Sequence, residues 1–246
     1  MSPEKCDINE LKIQYEEIFR AEWEKEPRRE EILEIGKRNT EGGLWILGGL
    51  VYRTIIKGLY GRETRGEKGV IDVDFVAEKL ASHKNFTIPP GWTLKFTQYE
   101  NPYLETEGYR VSLDSLYNYR PLLLRGIPFP ELRDLLERTP LNIQSIAWDC
   151  TRESLIGAKG ILAIHNQRVQ VNDYQDLGRA VRDLGLDPLS ENLEKLVRKK
   201  AEDLGFEFDF IYPKESDSSS HFNPLKDKVL GRRRRVIKEK NHSNRT

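Results

Sequence analysis

Residues 44–75, LWILGGLVYRTIIKGLYGRETRGEKGVIDVDF, decide the fold. Leu44 to Leu47 form a short apolar run suited to a buried strand, and Gly48 and Gly49 follow it directly. Leu50, Val51, Thr54, Ile55 and Leu59 then recur at helical spacing, with Gly61 placed to end the helix in a left-handed cap. Residues 62–69 are rich in glycine and charge and read as a loop. In residues 70–77, VIDVDFVA, apolar and acidic side chains alternate with the period of a strand. The order is strand, glycine turn, helix, loop, strand.

On the N-terminal side, residues 7–38 show helical periodicity through Ile8, Leu11, Ile13, Tyr15, Ile18, Phe19 and Trp23. Pro27 interrupts it, and Ile32, Leu33 and Ile35 resume it. This predicts a helical hairpin or a kinked helix packed on a sheet. On the C-terminal side, residues 93–99 and 109–116 read as strands joined by the turn-prone ENPYLETEG. A short helix is expected over 131–137 and a strand over 143–148. Residues 160–164 and 168–171 suggest a turn-linked strand pair around His165 and Asn166, and amphipathic helices are expected over 175–184 and 191–204. The fold class is therefore α/β or α+β: a mixed sheet flanked by helices, with N-terminal helices and a flexible basic tail. The expected divisions are residues 1–40, 41–213 and 214–246.

Forty basic and forty acidic residues cancel across the 246 positions, with 33% of the chain charged and 37% hydrophobic. No apolar run approaches the ~20 residues of a membrane span, and the charged N-terminus lacks a secretory pattern. Two cysteines, Cys6 and Cys150, cannot build a disulfide framework, and four scattered histidines show no metal-ligand spacing. The expectation is a soluble cytoplasmic protein without a membrane partner. The neutral total hides an uneven distribution. Residues 214–246 hold ten Lys/Arg against four Asp/Glu, including Arg232, Arg233, Arg234 and Arg235. Such a run suits RNA phosphate contact or a solvated charged extension.

Chemistry concentrates in the glycine pair and in Asp72-Val73-Asp74. On a strand, residues i and i+2 share a face with Cα atoms about 6.6–6.8 Å apart. Asp72 and Asp74 then stand side by side while Ile71, Val73 and Phe75 face the core. Two anions so close favour a bound cation, and hard oxygen ligands suit Mg²⁺ or Mn²⁺. A helix entered through Gly-Gly presents its first N–H groups, and its dipole favours an anion there. Arg53 and Lys57, one turn apart on that helix, add positive charge. With the two strands adjacent, the combination suits metal-assisted phosphoryl or nucleotidyl transfer. A P-loop kinase is excluded because no GKS or GKT follows the glycines.

LGGLVYRTIIKGLYG with VIDVDF resembles the signature of the DNA polymerase β-type nucleotidyltransferase superfamily, especially the head domains of poly(A) polymerases and CCA-adding enzymes and small stand-alone members. A weaker likeness lies in TPLNIQSIAWDCTRESLIGAKGILAI, so the resemblance spans about half the chain. It implies a nucleotidyltransferase-like mixed sheet in which Asp72 and Asp74 bind two divalent metals. Gly48 and Gly49 hold the triphosphate of an incoming NTP such as ATP, and Gln144 lies near the nucleotide. It also implies a third carboxylate in YRVSLDSL. The direct alignment puts Ser112 there, and Asp114, of the same strand parity, is the candidate; Glu105 and Glu107 fall in the turn-like stretch. Arg138-Thr139-Pro140 departs from the Arg-Arg-Asp run of CCA-adding heads, so base templating by that device is not inherited. No later stretch resembles a tRNA-binding body, which sets the expectation against a full CCA-adding enzyme. The implied activity moves a nucleoside monophosphate from an NTP to a hydroxyl of an RNA 3′ end, a protein or a small molecule. The alternative is a catalytically impaired nucleotide- or RNA-binding module, or a partner subunit of another protein.

Overall fold

The structure, a computed structural model, describes residues 7–62, 69–82, 85–97, 100–123, 125–127 and 130–211. The basic run at 232–235 and most of the 62–69 loop lie outside the described residues. Helix α1 (Ile8–Trp23) starts where the Asp7 side chain accepts from the Asn9 N–H, satisfying one orphan amide. It buries Leu11, Tyr15, Phe19 and Trp23, a stripe spaced by four, whereas Ile13 points to solvent. Helix α2 (Arg29–Asn39) leads into β1 (Thr40–Leu47), and α3 (Gly48–Tyr60) ends at Gly61 in the left-handed conformation. Strand β2 (Ile71–Leu80) then enters the sheet, followed by β3 (Thr93–Phe96), β4 (Pro102–Thr106) and β5 (Tyr109–Ser115). Short helices α4 (Arg120–Leu123) and α5 (Leu132–Leu136) and a 3₁₀ turn (Asn142–Gln144) precede β6 (Ala147–Asp149) and β7 (Ser154–Ile156). Helix α6 (Ala158–His165), β8 (Arg168–Gln170), α7 (Tyr174–Asp183), α8 (Ser190–Leu204) and β9 (Glu207–Asp209) complete the described chain.

Seven strands form a mixed sheet in the order β3-β4-β5-β2-β1-β6-β7. Strand β2 runs antiparallel to β1 and parallel to β5; the other pairings in the sheet are antiparallel. The alternation in β2 divides the molecule. Val73, Phe75 and Ala77 join a core with Leu11, Tyr15, Phe19, Ile32, Ile55 and Ile56 from the first three helices. On the opposite face Val76 packs with Leu116, Leu122, Leu132, Leu135, Leu136 and Ala147. Asp72 and Asp74 lie on this second face, before its apolar part begins. Among the described residues, no helix is long and apolar enough to cross a membrane.

Three expectations are corrected. Residues 100–108, where the composition predicts a turn, contain β4, whose Tyr103 and Glu105 pair with Ser112 and Arg110. Its alternation is obscured by Pro102, whose missing N–H is tolerated at the first residue of a strand. Residues 160–164 are helical: Gly160, Ile161, Ala163 and Ile164 are buried at spacings of three and four, a pattern too short to distinguish from a strand by composition. A Cβ on Gly160 would meet the Ile146 Cβ at 2.6 Å and the Ser145 carbonyl at 2.8 Å, so glycine lets this helix press on the chain entering β6. That entering chain is itself the third correction, since residues 142–144 turn as a 3₁₀ helix and only Ala147–Asp149 is strand.

The start of α7 is tied down by charge. The Arg125 guanidinium donates to both Asp173 oxygens at 2.8 and 3.2 Å and to Asp176 Oδ1 at 2.9 Å. Asp173 also caps α7, accepting from the Gln175 and Asp176 N–H groups. Removing the cation from a largely buried cluster leaves Asp173 without its guanidinium partner and Asp176 with Arg179 as its remaining ion partner. Arg125→Ala is therefore expected to destabilise the chain by about 3 kcal/mol, read as a lowered urea midpoint with unchanged slope.

Candidate active site

The register between β2 and β5 builds the site. Asp72 stands opposite Arg110, Asp74 opposite Ser112, and Val76 opposite Asp114. Since neighbours in register share a face, Asp72, Asp74, Arg110, Ser112 and Asp114 all project from the second face of the sheet. Strand β4 adds Tyr103 and Glu105 to that face. Among the described residues, no hydrogen bond or ion pair reaches the Asp72 or Asp74 carboxylate. Asp114 Oδ1 accepts from Asn101 Nδ2 at 2.6 Å, leaving its other oxygen for a further partner.

Electrostatics identify what the face lacks. Burial, then the charges of Asp72 and Asp114, push the Asp74 carboxyl up to about 7, against the weaker downward pull of Arg110 and Arg53. Asp114 is pushed up to about 6 by burial, offset by the Asn101 hydrogen bond. Asp72 is raised by desolvation and held down by Arg110 and Arg53. Neighbouring carboxyl groups raised by burial, and in Asp74 also by one another, are a donor set suited to a cation. The set is incomplete as a three-carboxylate cluster. Among the described residues no group of three acidic, histidine or cysteine side chains is arranged to hold a metal ion. Asp114 sits two register pairs beyond Asp74, diagonally across the ladder at about 8 Å between Cα atoms, which accounts for the looser grouping.

The glycine helix start lies beside these acids. Strand β1 pairs with β2 through Ile46 and Phe75, so the chain leaves the sheet at Leu47 next to the level of Asp74. Among the described residues no side chain caps the start of α3. The Gly48 N–H is engaged by the Ile146 carbonyl at 2.9 Å, and Gly48 itself has φ +30°. The open amides therefore begin at Gly49, where an added Cβ would meet no atom within 4 Å. Arg53, one turn on, lies within electrostatic reach of both Asp72 and Asp74 and pulls their carboxyls down. Lys57 is exposed further along α3, and its carbonyl accepts the capping Gly61 N–H. Gln144 lies against Gly48, but its Oε1 accepts from the Leu141 N–H at 3.1 Å and closes the 3₁₀ turn.

Four contributors escaped the sequence reading. Arg110 and Tyr103 stack, with the guanidinium carbon 4.2 Å from the ring centroid. Asn101 orients Asp114. Tyr119, its hydroxyl pushed up to about 12 chiefly by burial, senses Arg179 and Asp176 from α7 together with Asp114 and Asp74. The alternation of YRVSLDSL already put Arg110 on the same face as Asp114; Asn101, Tyr103 and Tyr119 needed the fold.

With this geometry described, comparison with known proteins finds no matching family model and no matching curated protein. Among solved structures, the chain is similar to the Bacillus stearothermophilus CCA-adding enzyme in complex with CTP. The identity is 17% and the TM-score 0.45, over 75% of this chain and 41% of that one. It is similar to the Thermotoga maritima CCA-adding enzyme complexed with tRNA at 16% identity and TM-score 0.41, over 79% and 46%. A tRNA-processing enzyme in an apo form aligns at 21% identity and TM-score 0.42, over 73% and 48%. The chain spans less than half the length of each of these.

Proposed function

We propose that this chain is a metal-dependent nucleotidyltransferase, moving a nucleoside monophosphate from an NTP to a hydroxyl with release of pyrophosphate. The single observation that supports the reading is adjacency: Asp72 and Asp74, raised by burial, lie on β2 next to β1, whose end opens into the helix start at Gly49. Asp72 and Asp74 would hold Mg²⁺ or Mn²⁺, with Asp114 as the outer carboxylate. A divalent ion there neutralises the polyphosphate and eases ionisation of the attacking hydroxyl. The amides from Gly49 onward receive phosphate oxygens, and Arg53 adds a fixed positive charge. Asp114, raised to about 6, takes the acceptor's proton near neutral pH. The acceptor oxygen bonds to the α-phosphorus as the bond to pyrophosphate breaks. An RNA 3′ end is the acceptor we favour, on the basic composition of residues 214–246.

Gly49 separates binding from folding. Its Cβ position is open, and a helix tolerates a side chain there, so Gly49→Val is expected to keep the melting temperature within about 2 °C. It puts two methyl groups where a phosphate approaches, and NTP binding, read by titration of a fluorescent analogue, is expected to weaken at least about tenfold. Unchanged binding would remove α3 from the site.

A second reading, a nucleotide- or RNA-binding module without turnover, is favoured by one observation, the absence of a three-carboxylate metal group among the described residues. Incubating the full chain with each labelled NTP, total RNA and Mn²⁺ decides between them. The transferase reading expects labelled RNA. Tight NTP binding with no label transferred supports the binding module.

A further inference from the structure

Arg110 takes no part in the proposed transfer chemistry, and its placement is unusual. It lies directly across the ladder from Asp72, on the face that carries all three acids. A basic residue opposite an acid on neighbouring strands ordinarily closes into an ion pair. Among the described residues it does not: the guanidinium is stacked on the Tyr103 ring at 4.2 Å, and Arg110 Nε is buried with no hydrogen-bond partner among them. Tyr103 is itself fixed in register between Ser112 on β5 and Lys95 on β3. On that outer side Lys95 is engaged by Glu105, so the nearest flanking charges already satisfy each other. The arginine is held close enough to act on Asp72 and Asp74, yet is kept from neutralising either by contact.

Resting on the metal-site reading above, we infer that Arg110 is a built-in second cation of the carboxylate face: Asp72 and Asp74 take one divalent ion, and the stacked guanidinium supplies the remaining positive charge to the polyphosphate. A fixed monovalent charge on a partly desolvated face repels an incoming divalent ion and lowers its affinity for the acids. Arginine suits the position because it keeps its charge, stacks on an aromatic ring and offers several donors to phosphate oxygens. Arg110 is therefore a positioning and charge-setting residue that limits the number of metal ions the site accepts.

The test is a Mn²⁺ titration of the full chain without nucleotide, followed by electron paramagnetic resonance. Wild type is expected to bind one Mn²⁺, lost in Asp72→Asn. Arg110→Gln is expected to bind Mn²⁺ at least about tenfold more tightly, because a repelling charge is gone. Arg110→Lys, which keeps the charge, is expected to stay within about threefold of wild type. A merely structural arginine would give the opposite sign, since loosening the face weakens metal binding. Circular dichroism and urea unfolding establish that each variant is folded. Two Mn²⁺ ions in the wild type that both disappear in Asp72→Asn would overturn the inference, as would unchanged or weaker binding by folded Arg110→Gln. If neither wild type nor Arg110→Gln binds Mn²⁺, the metal reading itself fails and this inference with it.

Discussion

Asp74→Asn is expected to lower NTP-dependent labelling of RNA by roughly a thousandfold or more, with the fold intact. The expectation follows from charge and position. Asp74 lies between Asp72 on its own strand and Asp114 on β5, whose charges push its carboxyl up, while Arg53 and Arg110 pull it down. Asparagine matches its shape but removes the negative charge that binds a divalent ion. Its neighbours Val73 and Phe75 keep β2 anchored in the core, so the lost activity cannot be attributed to unfolding. Asp72→Asn is expected to act similarly. Asp114→Asn leaves the carboxylate pair and removes only the proton acceptor, so a smaller loss of about a hundredfold is expected. Equal activity of wild type and Asp74→Asn would remove the carboxylates from the chemistry.

The second large effect is on stability and depends on pH. An aspartate raised from 3.8 to about 7 in the folded chain binds more protons folded than unfolded throughout the interval between those values. Stability from this group is therefore fully present below about pH 4 and is lost as pH rises through about 7. Asp114, raised to about 6, adds a contribution of the same sign. The shift at Asp74 corresponds to roughly 2–4 kcal/mol once relaxation and partial solvent access are allowed for. At pH 8 without metal, Asp74→Asn is thus expected to melt higher than wild type by roughly 5–10 °C, and at pH 4 the two should converge. Adding Mg²⁺ or Mn²⁺ at pH 8 should raise the wild-type midpoint and leave Asp74→Asn nearly unchanged, because only the wild type offers the cation its partners. Differential scanning calorimetry across pH checks both signs. A wild type that is stabilised by rising pH relative to Asp74→Asn would contradict the assignment of uncompensated charge to this face.

How far the site was legible depended on whether a pattern was local. The period-two alternation of VIDVDF and the glycine-opened helix carry their geometry in consecutive residues, and both are found as β2 and α3. Their meeting is a matter of sheet order, and β1 next to β2 delivers it. Strand β4 was hidden because Pro102 and flanking turn residues masked its alternation, so Asn101 and Tyr103 were missed as members of the site. Arg110 was visible in YRVSLDSL but had no evident partner until β2 and β5 were placed in parallel register. Gln144 carries a local role as well: its Oε1 accepts from the Leu141 N–H and closes a turn, a hydrogen bond no spacing rule foretells. The helix at Ala158–His165 is not legible from its pattern, because eight residues with a mixed apolar run satisfy both periods.

The most direct test of the shared cleft is a crystal structure with Mn²⁺ and a non-hydrolysable NTP, using anomalous scattering to place the ion. The expected density has Mn²⁺ between the Asp72 and Asp74 carboxylates and phosphate oxygens within hydrogen-bond distance of the Gly49 amide. Nucleotide bound elsewhere on the sheet, or Mn²⁺ bound without contact to either aspartate, would contradict it.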